Sequence, residues 1–220
     1  MAQIHIDRDA LVVSTQGAEK LGLWNLRAQV EEEEMLKLVE DFLREMVEYQ
    51  KKSGRHLQPE ETVAWGSWAV QCKEVDGHLE FWEFQGDWTD VEPGVTRTMA
   101  YMAMMLAARE ELGAEEVAPP LATQLVVITD DVLQGQLPVE GIRYLEEDTQ
   151  MSGWWLITEG YDGNEEDLKS APLYQIFESC PHLIPLVGLP AGYRFRLGEE
   201  GCEILFDSEV IEGSQKEQEV

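Results

Sequence analysis

The sequence predicts an α+β protein: two mainly antiparallel sheets with a few flanking helices. Short β-branched, aromatic or alternating runs recur at 62–84, 124–136, 141–148, 154–158 and 193–206, the pattern of half-buried strands. Two stretches instead place apolar residues at helical spacing, 31–50 and 95–112. Tight-turn dipeptides such as Asp76-Gly77 join the runs, so strands adjacent in sequence are expected to pair. The proline pair within Val117 to Pro120 marks the expected boundary, giving a region 1–118 and a domain 119–220.

Residues 4 to 30 mix Leu11-Val12-Val13 with Gly17 and Gly22 and yield no assignment. From Glu31 the chain reads as an amphipathic helix to about Gln50: Met35, Leu38, Val39, Phe42, Leu43, Met46 and Val47 form one apolar stripe. Glu31 to Glu34 suit the positive end of its dipole, Lys51, Lys52 and Arg55 the negative end, and Ser53-Gly54 stops it. A hairpin follows, Thr62 to Val75 and His78 to Phe84, with neither face of the second run wholly polar. That sheet is expected to be covered on both sides. Gln85 to Gly94 reads as a loop, and Met99, Met102, Ala103 and Leu106 as the core stripe of a helix closed by Gly113.

In the second half, strands end in Thr129-Asp130-Asp131 and in Glu146-Glu147-Asp148. Ser152-Gly153 reads as a turn, Trp154 to Thr158 as a strand, and Gly160 to Asp167 as an acidic loop. Ser170 and Pro172 open a short helix that Pro181 and Pro185 interrupt. Leu189-Pro190-Ala191-Gly192 suits a turn with proline second and glycine fourth. A closing hairpin runs from Tyr193 to Phe206, and Glu209 to Val220 reads as a frayed polar end.

At 220 residues, with 44% hydrophobic residues, seven Trp and eight Met, the chain has the means to build a core burying about 70% of its unfolded surface. It is not a disordered acidic tail. Forty-four acidic against sixteen basic residues give a formal charge of −28, which repels nucleic acid and anionic membranes. Cys72, Cys180 and Cys202 are odd in number and far apart, which favours a reducing compartment over a disulfide framework. With no signal-peptide pattern and no run of eighteen apolar residues, the expected location is the cytoplasm.

Little in the sequence points to catalysis. His5, His56, His78 and His182 stand singly, without the spacing of zinc ligands. Cys180-Pro181-His182 reads as a buried thiol beside a surface histidine rather than a nucleophile pair. Asp162 to Asp167 lacks calcium-loop spacing. Asp130 and Asp131 would need a third acid to hold magnesium, the one route to a metal-dependent hydrolase. No catalytic residue, metal ligand or cofactor is expected.

What the second half does carry is a series of pieces in a particular order. QLVVITDDVL is followed by GIRY, then Ser-Gly-Trp-Trp opening a strand that ends in an acidic loop, then PHLIPLV and Leu-Pro-Ala-Gly. Over residues 124 to 208 this resembles the immunity protein 33-like family of bacterial polymorphic-toxin systems, with Met151 and Thr158-Glu159-Gly160-Tyr161 departing from the family pattern. The resemblance implies a protein that binds and neutralises a cognate toxin without catalysis. The negative charge then favours a basic toxin, steered in electrostatically. Candidate contacts are Glu146, Glu147 and Asp148 in one patch and Tyr161, Asp162, Glu165, Glu166 and Asp167 in another. Trp154 is the candidate aromatic anchor; of Trp154 and Trp155 one is expected to face the core and one outward. A regulatory or adaptor module with some other protein partner is the alternative.

Overall fold

Alternation and turn chemistry place residues 3–211, described in a computed structural model, in two mixed sheets with flanking helices, an α+β fold. Contacts cluster in two units, Met1–Met102 and Ala103–Val220.

In the first unit the unassigned N-terminal stretch forms three strands, β1 (Gln3–Asp7), β2 (Val12–Gln16) and β3 (Leu26–Gln29). The apolar spacing of α1 (Leu36–Ser53) then turns Leu36, Val39, Phe42, Leu43, Met46 and Val47 into the core. There they join Val13, Leu26, Ala28, Val70, Cys72, Leu79 and Phe81, and the Phe42 and Phe81 rings meet edge-on at 4.7 Å. Each buried Val, Leu, Met or Phe side chain among them stabilises by about 1.5–3 kcal/mol. At the end of α1, Gly54 takes φ 68° and donates its N–H to the Gln50 carbonyl, as a left-handed C-terminal glycine should.

The expected strand Thr62 to Val75 is two strands, because Gly66, at φ 63°, turns the chain between β4 (Thr62–Trp65) and β5 (Trp68–Val75). Asp76 and Gly77 both take positive φ and join β5 to β6 (His78–Phe84) as the dipeptide predicts. A short strand, β7 (Val91–Pro93), pairs with β6 inside what reads as a loop. The sheet order is β1-β2-β3-β6-β5-β4, with β3 and β6 parallel. Helix α2 (Thr96–Leu112) starts on a carboxylate borrowed from β6: Glu83 accepts the N–H groups of Arg97 and Thr98 at 3.1 and 2.8 Å. Cys72 lies in this core, and burial pushes its thiol up to about 12.

The second unit holds the strands β8 (Leu125–Thr129), β9 (Val139–Arg143), β10 (Met151–Thr158), β11 (Leu168–Pro172), β12 (Tyr193–Gly198) and β13 (Gly201–Phe206). Their order is β11-β8-β10-β9-β12-β13, antiparallel except for β8 with β10. Ser170 and Pro172, expected to open a helix, lie instead in the edge strand β11 on β8, and α4 (Leu173–Ser179) begins after Pro172. One face of this sheet carries Val126, Ile128, Val139, Trp154, Leu156 and Phe195. All are buried, as are Leu173, Ile176 and Phe177 of α4 and Ile184, Leu186 and Val187 of α5 (Ile184–Val187). A four-residue helix, α3 (Asp130–Leu133), follows β8 directly.

Ser152-Gly153 is not a turn but lies inside β10, where the five residues Met151 to Trp155 span the three residues Leu125 to Val127 of β8. Of the frayed end expected at Glu209 to Val220, residues 208–211 are helical and 212–220 lie outside the described residues. No helix among the described residues is long and apolar enough to cross a membrane.

Candidate functional site

The candidate site is built by the one parallel pairing of the second sheet. Because β8 and β10 run side by side in the same direction, their C-terminal ends fall together, and so do the acids that follow each. Thr129, Asp130 and Asp131 leave β8 beside Thr158, the last residue of β10, and Glu159 and Gly160 that follow it, and the loop that then enters β11 closes the third side. The result is an open hollow of about 410 Å³ lined by Asp130, Asp131, Tyr161, Glu166, Asp167 and Lys169, with Thr129, Thr158 and Gly160 at its base. Lys169 is the single cation of that lining, and it is paired with Asp130.

The loop is held by its own side chains. Asp162 accepts the Asn164 N–H at 3.0 Å, and Asn164 caps the short turn Glu165–Asp167 by accepting the Glu166 N–H at 3.2 Å. Asp162, Glu165, Glu166 and Asp167 are exposed, and Tyr161 is half-buried. Below them the Thr129 hydroxyl accepts the Thr158 N–H at 3.3 Å, and Asp131 lies 3.5 Å from the Thr158 hydroxyl, which joins the two strand ends. Among the described residues no three Asp, Glu, His or Cys side chains are gathered as a metal site.

Glu146, Glu147 and Asp148 lie in the β9–β10 connection, at the opposite end of the strand pair. The antiparallel register therefore keeps the two acidic groups apart. Glu146 accepts the N–H groups of Glu147 and Asp148, both at 3.0 Å, and Asp148 accepts that of Gln150 at 2.8 Å, so these carboxylates fold back on their own backbone. Behind them Arg143 donates to the carbonyls of Ser152 and Leu189, and burial lowers this guanidinium to about 10.

Trp154 is not the surface anchor. It is fully buried against Phe195, with its indole N–H donated to the Val187 carbonyl at 2.9 Å. Trp155 is the one that faces out, 39% exposed and edge-on to Tyr144 at 5.9 Å. The register continues its row across the outer face, from Val127 through Trp155, Ile142 and Arg194 to Leu205. Alternation requires that one Trp face each way but does not say which, since no neighbour in sequence distinguishes the faces.

Cys180 is buried, its thiol 3.1 Å from the Val132 carbonyl and pushed up by burial, whereas His182 is exposed. The thiol faces a carbonyl rather than an imidazole. Asp130 and Asp131 are the residues that sequence reasoning left outside the candidate surface. Their signal was the Asp-Asp at a strand end, and what hid it was the parallel pairing that carries it to the loop.

Residues 106–207 match the family model of the Imm33-like domain, a little under half of the chain. The match reaches further upstream than the pieces from 124 onward indicate, into α2. Neither a curated protein nor a solved structure matches the chain.

Proposed function

We propose that this chain, which carries an Imm33-like domain over residues 106–207, is an immunity protein that binds a cognate bacterial toxin and neutralises it by stoichiometric contact. The observation that carries the reading to a surface is the convergence of Asp130, Asp131, Glu166 and Asp167 around one hollow, with Asp162 and Glu165 exposed on the same loop. A negative surface of this kind speeds encounter with a cationic one and orients it before contact. The partner would be a basic toxin, and the protein would act in the cell that makes the toxin, by covering its active site or its substrate path. Trp155 supplies an exposed aromatic for the closer contact, since aromatic anchors dominate interface energies.

The test is co-expression in a bacterium of this chain with each protein encoded beside its gene. The expected result is growth where the toxin alone arrests it, together with a one-to-one complex of the purified proteins. A complex that turns over, or protection at far below stoichiometric amounts, would instead indicate an enzyme; a complex with a non-toxic neighbour would indicate an adaptor.

A further inference from the structure

The two edges of the second sheet are built differently. At one end, β11 carries Lys169 and Pro172, the charged and donor-less residues that discourage another strand from adding to an edge. At the other, β13 reads Gly-Cys-Glu-Ile-Leu-Phe, with no proline and no cation, and Leu205 and Phe206 are 55% and 54% exposed. Among the described residues β12 is the strand that pairs with β13, and β13 ends the sheet.

The direction of its backbone groups follows from one bond. Asp207 donates its N–H to the Gly192 carbonyl at 2.8 Å, toward the β12 side. By strand alternation the N–H and C=O groups of Leu205 and Glu203 point the same way, and those of Cys202, Ile204 and Phe206 point outward. That row is a template for an added strand. Charge selects the occupant. Glu199 and Glu200 form the turn before β13, Glu203 lies within it and Asp207 follows it. The nearest cations are already engaged, Arg194 with Asp207 and Arg196 with Glu140 and Glu159. A second copy of a chain with formal charge −28 would set acid against acid along this edge.

We infer that the free edge of β13 takes up an extended, lysine- or arginine-bearing segment of the partner protein as a seventh strand. One face of that segment would set its cations against Glu203 and the Glu199-Glu200 turn, on the side of Leu205 and Trp155, and its other face would lay apolar side chains beside Ile204 and Phe206. This rests on the partner being the cationic toxin proposed above, and it names the element by which that toxin is held.

The probe is a capped eight-residue peptide alternating lysine and valine, added to isotope-labelled protein and followed by amide NMR. Shifts are expected at Cys202, Ile204 and Phe206. A peptide N-methylated at alternate residues should bind at least tenfold more weakly, and so should the Ile204→Pro protein, which loses an outward donor. The N-methylated peptide keeps the test independent of whether Ile204→Pro folds. Absence of shifts on β13, or shifts confined to the 161–167 loop, would overturn the inference. So would a dimer of the protein at high salt that Ile204→Pro dissociates, because the edge would then belong to a second copy. Full protection from the toxin by a folded Ile204→Pro protein that no longer binds peptide would sink strand addition and leave immunity standing. Failed protection by a peptide-binding wild type would do the reverse.

Discussion

A Cβ placed on Gly153 would come within 2.4 Å of the Tyr144 carbonyl oxygen, while Tyr144 donates its own N–H to the Gly153 carbonyl at 2.9 Å. Backbone therefore meets backbone at the point where β10 gains residues over β8. Gly153 also holds φ 78°, a conformation that costs side-chain-bearing residues about 1–2 kcal/mol. Gly153→Ala adds a clash with a rigid partner to that strain and should destabilise the protein by about 2–4 kcal/mol in urea unfolding. Gly163→Ala, at φ 95° but facing open space, should cost about 1 kcal/mol. Equal losses for the two would show that left-handed backbone, not the approach of Tyr144, decides the cost.

That irregularity sets which tryptophan is core. Trp154→Ala should cost about 3–5 kcal/mol, from the lost burial and from the Val187 carbonyl left without its donor. Trp155→Ala should cost clearly less, about 1–2 kcal/mol, and retain a cooperative transition, since the ring is 39% exposed and gives up part of its packing beside Tyr144 rather than a buried hydrogen bond. In complex with the toxin the order reverses: the folded Trp155→Ala protein should dissociate faster. A larger stability loss at Trp155 than at Trp154 would contradict the facing assigned here.

Glu83 offers a pH-dependent check on the first unit. Burial raises its pKa, against the hydrogen bonds from Thr98 and Arg97 that lower it. The folded state then holds this proton more tightly than the unfolded chain, so the contribution favours folding below the ordinary carboxylate pKa and is lost as pH rises through the higher folded value. Many other acids titrate in the same range, and a Glu83→Gln variant subtracts them. The difference in urea midpoint between wild type and variant should shift in favour of the variant as pH rises from about 4 to 7. A difference that shifts toward wild type would mean that the amide donors of α2 outweigh burial.

The elements that could be read from the sequence were those whose signal is local. The 3.6-residue stripe gave α1, Asp76-Gly77 gave its hairpin, and Tyr193 to Phe206 gave β12 and β13; α2 is where it was expected, but of its expected core stripe Met99 alone is buried, Met102, Ala103 and Leu106 are half-buried, and Met105 is buried instead. What escaped depends on partners distant in the chain. Leu168 to Pro172 alternates too weakly to read as a strand and is one because Val126 and Ile128 of β8 lie beside it. Ser152-Gly153 has the composition of a turn, but the ladder on both sides of β10 makes it a bulge. The candidate site divides likewise. Its acidic loop was legible from Gly160, Gly163 and the acids between them, whereas Asp130 and Asp131 joined it through a parallel pairing to which no short-range pattern points.

The last prediction concerns that loop. Asp162, Glu165 and Glu166 are exposed; Asp162 makes one side-chain hydrogen bond within the loop, accepting the Asn164 N–H, and among the described residues Glu165 and Glu166 make none that shapes it. Reversing the three to lysine should therefore change folding stability by less than about 1 kcal/mol. It would, however, turn the rim of a hollow lined by Asp130, Asp131 and Asp167 from negative to positive. If a basic toxin is drawn in here, association at low ionic strength should slow about tenfold or more, and the steep fall of the wild-type rate with added salt should flatten, because steering acts on the encounter and is screened within about 10 Å at 0.1 M salt. Dissociation should change less. The same reversal at Glu146, Glu147 and Asp148, at the far end of the strand pair, serves as the control: if it slows association and the loop reversal does not, the toxin meets that end of the sheet instead. Unchanged kinetics for both would remove these two acidic patches from the encounter and place recognition elsewhere on the chain.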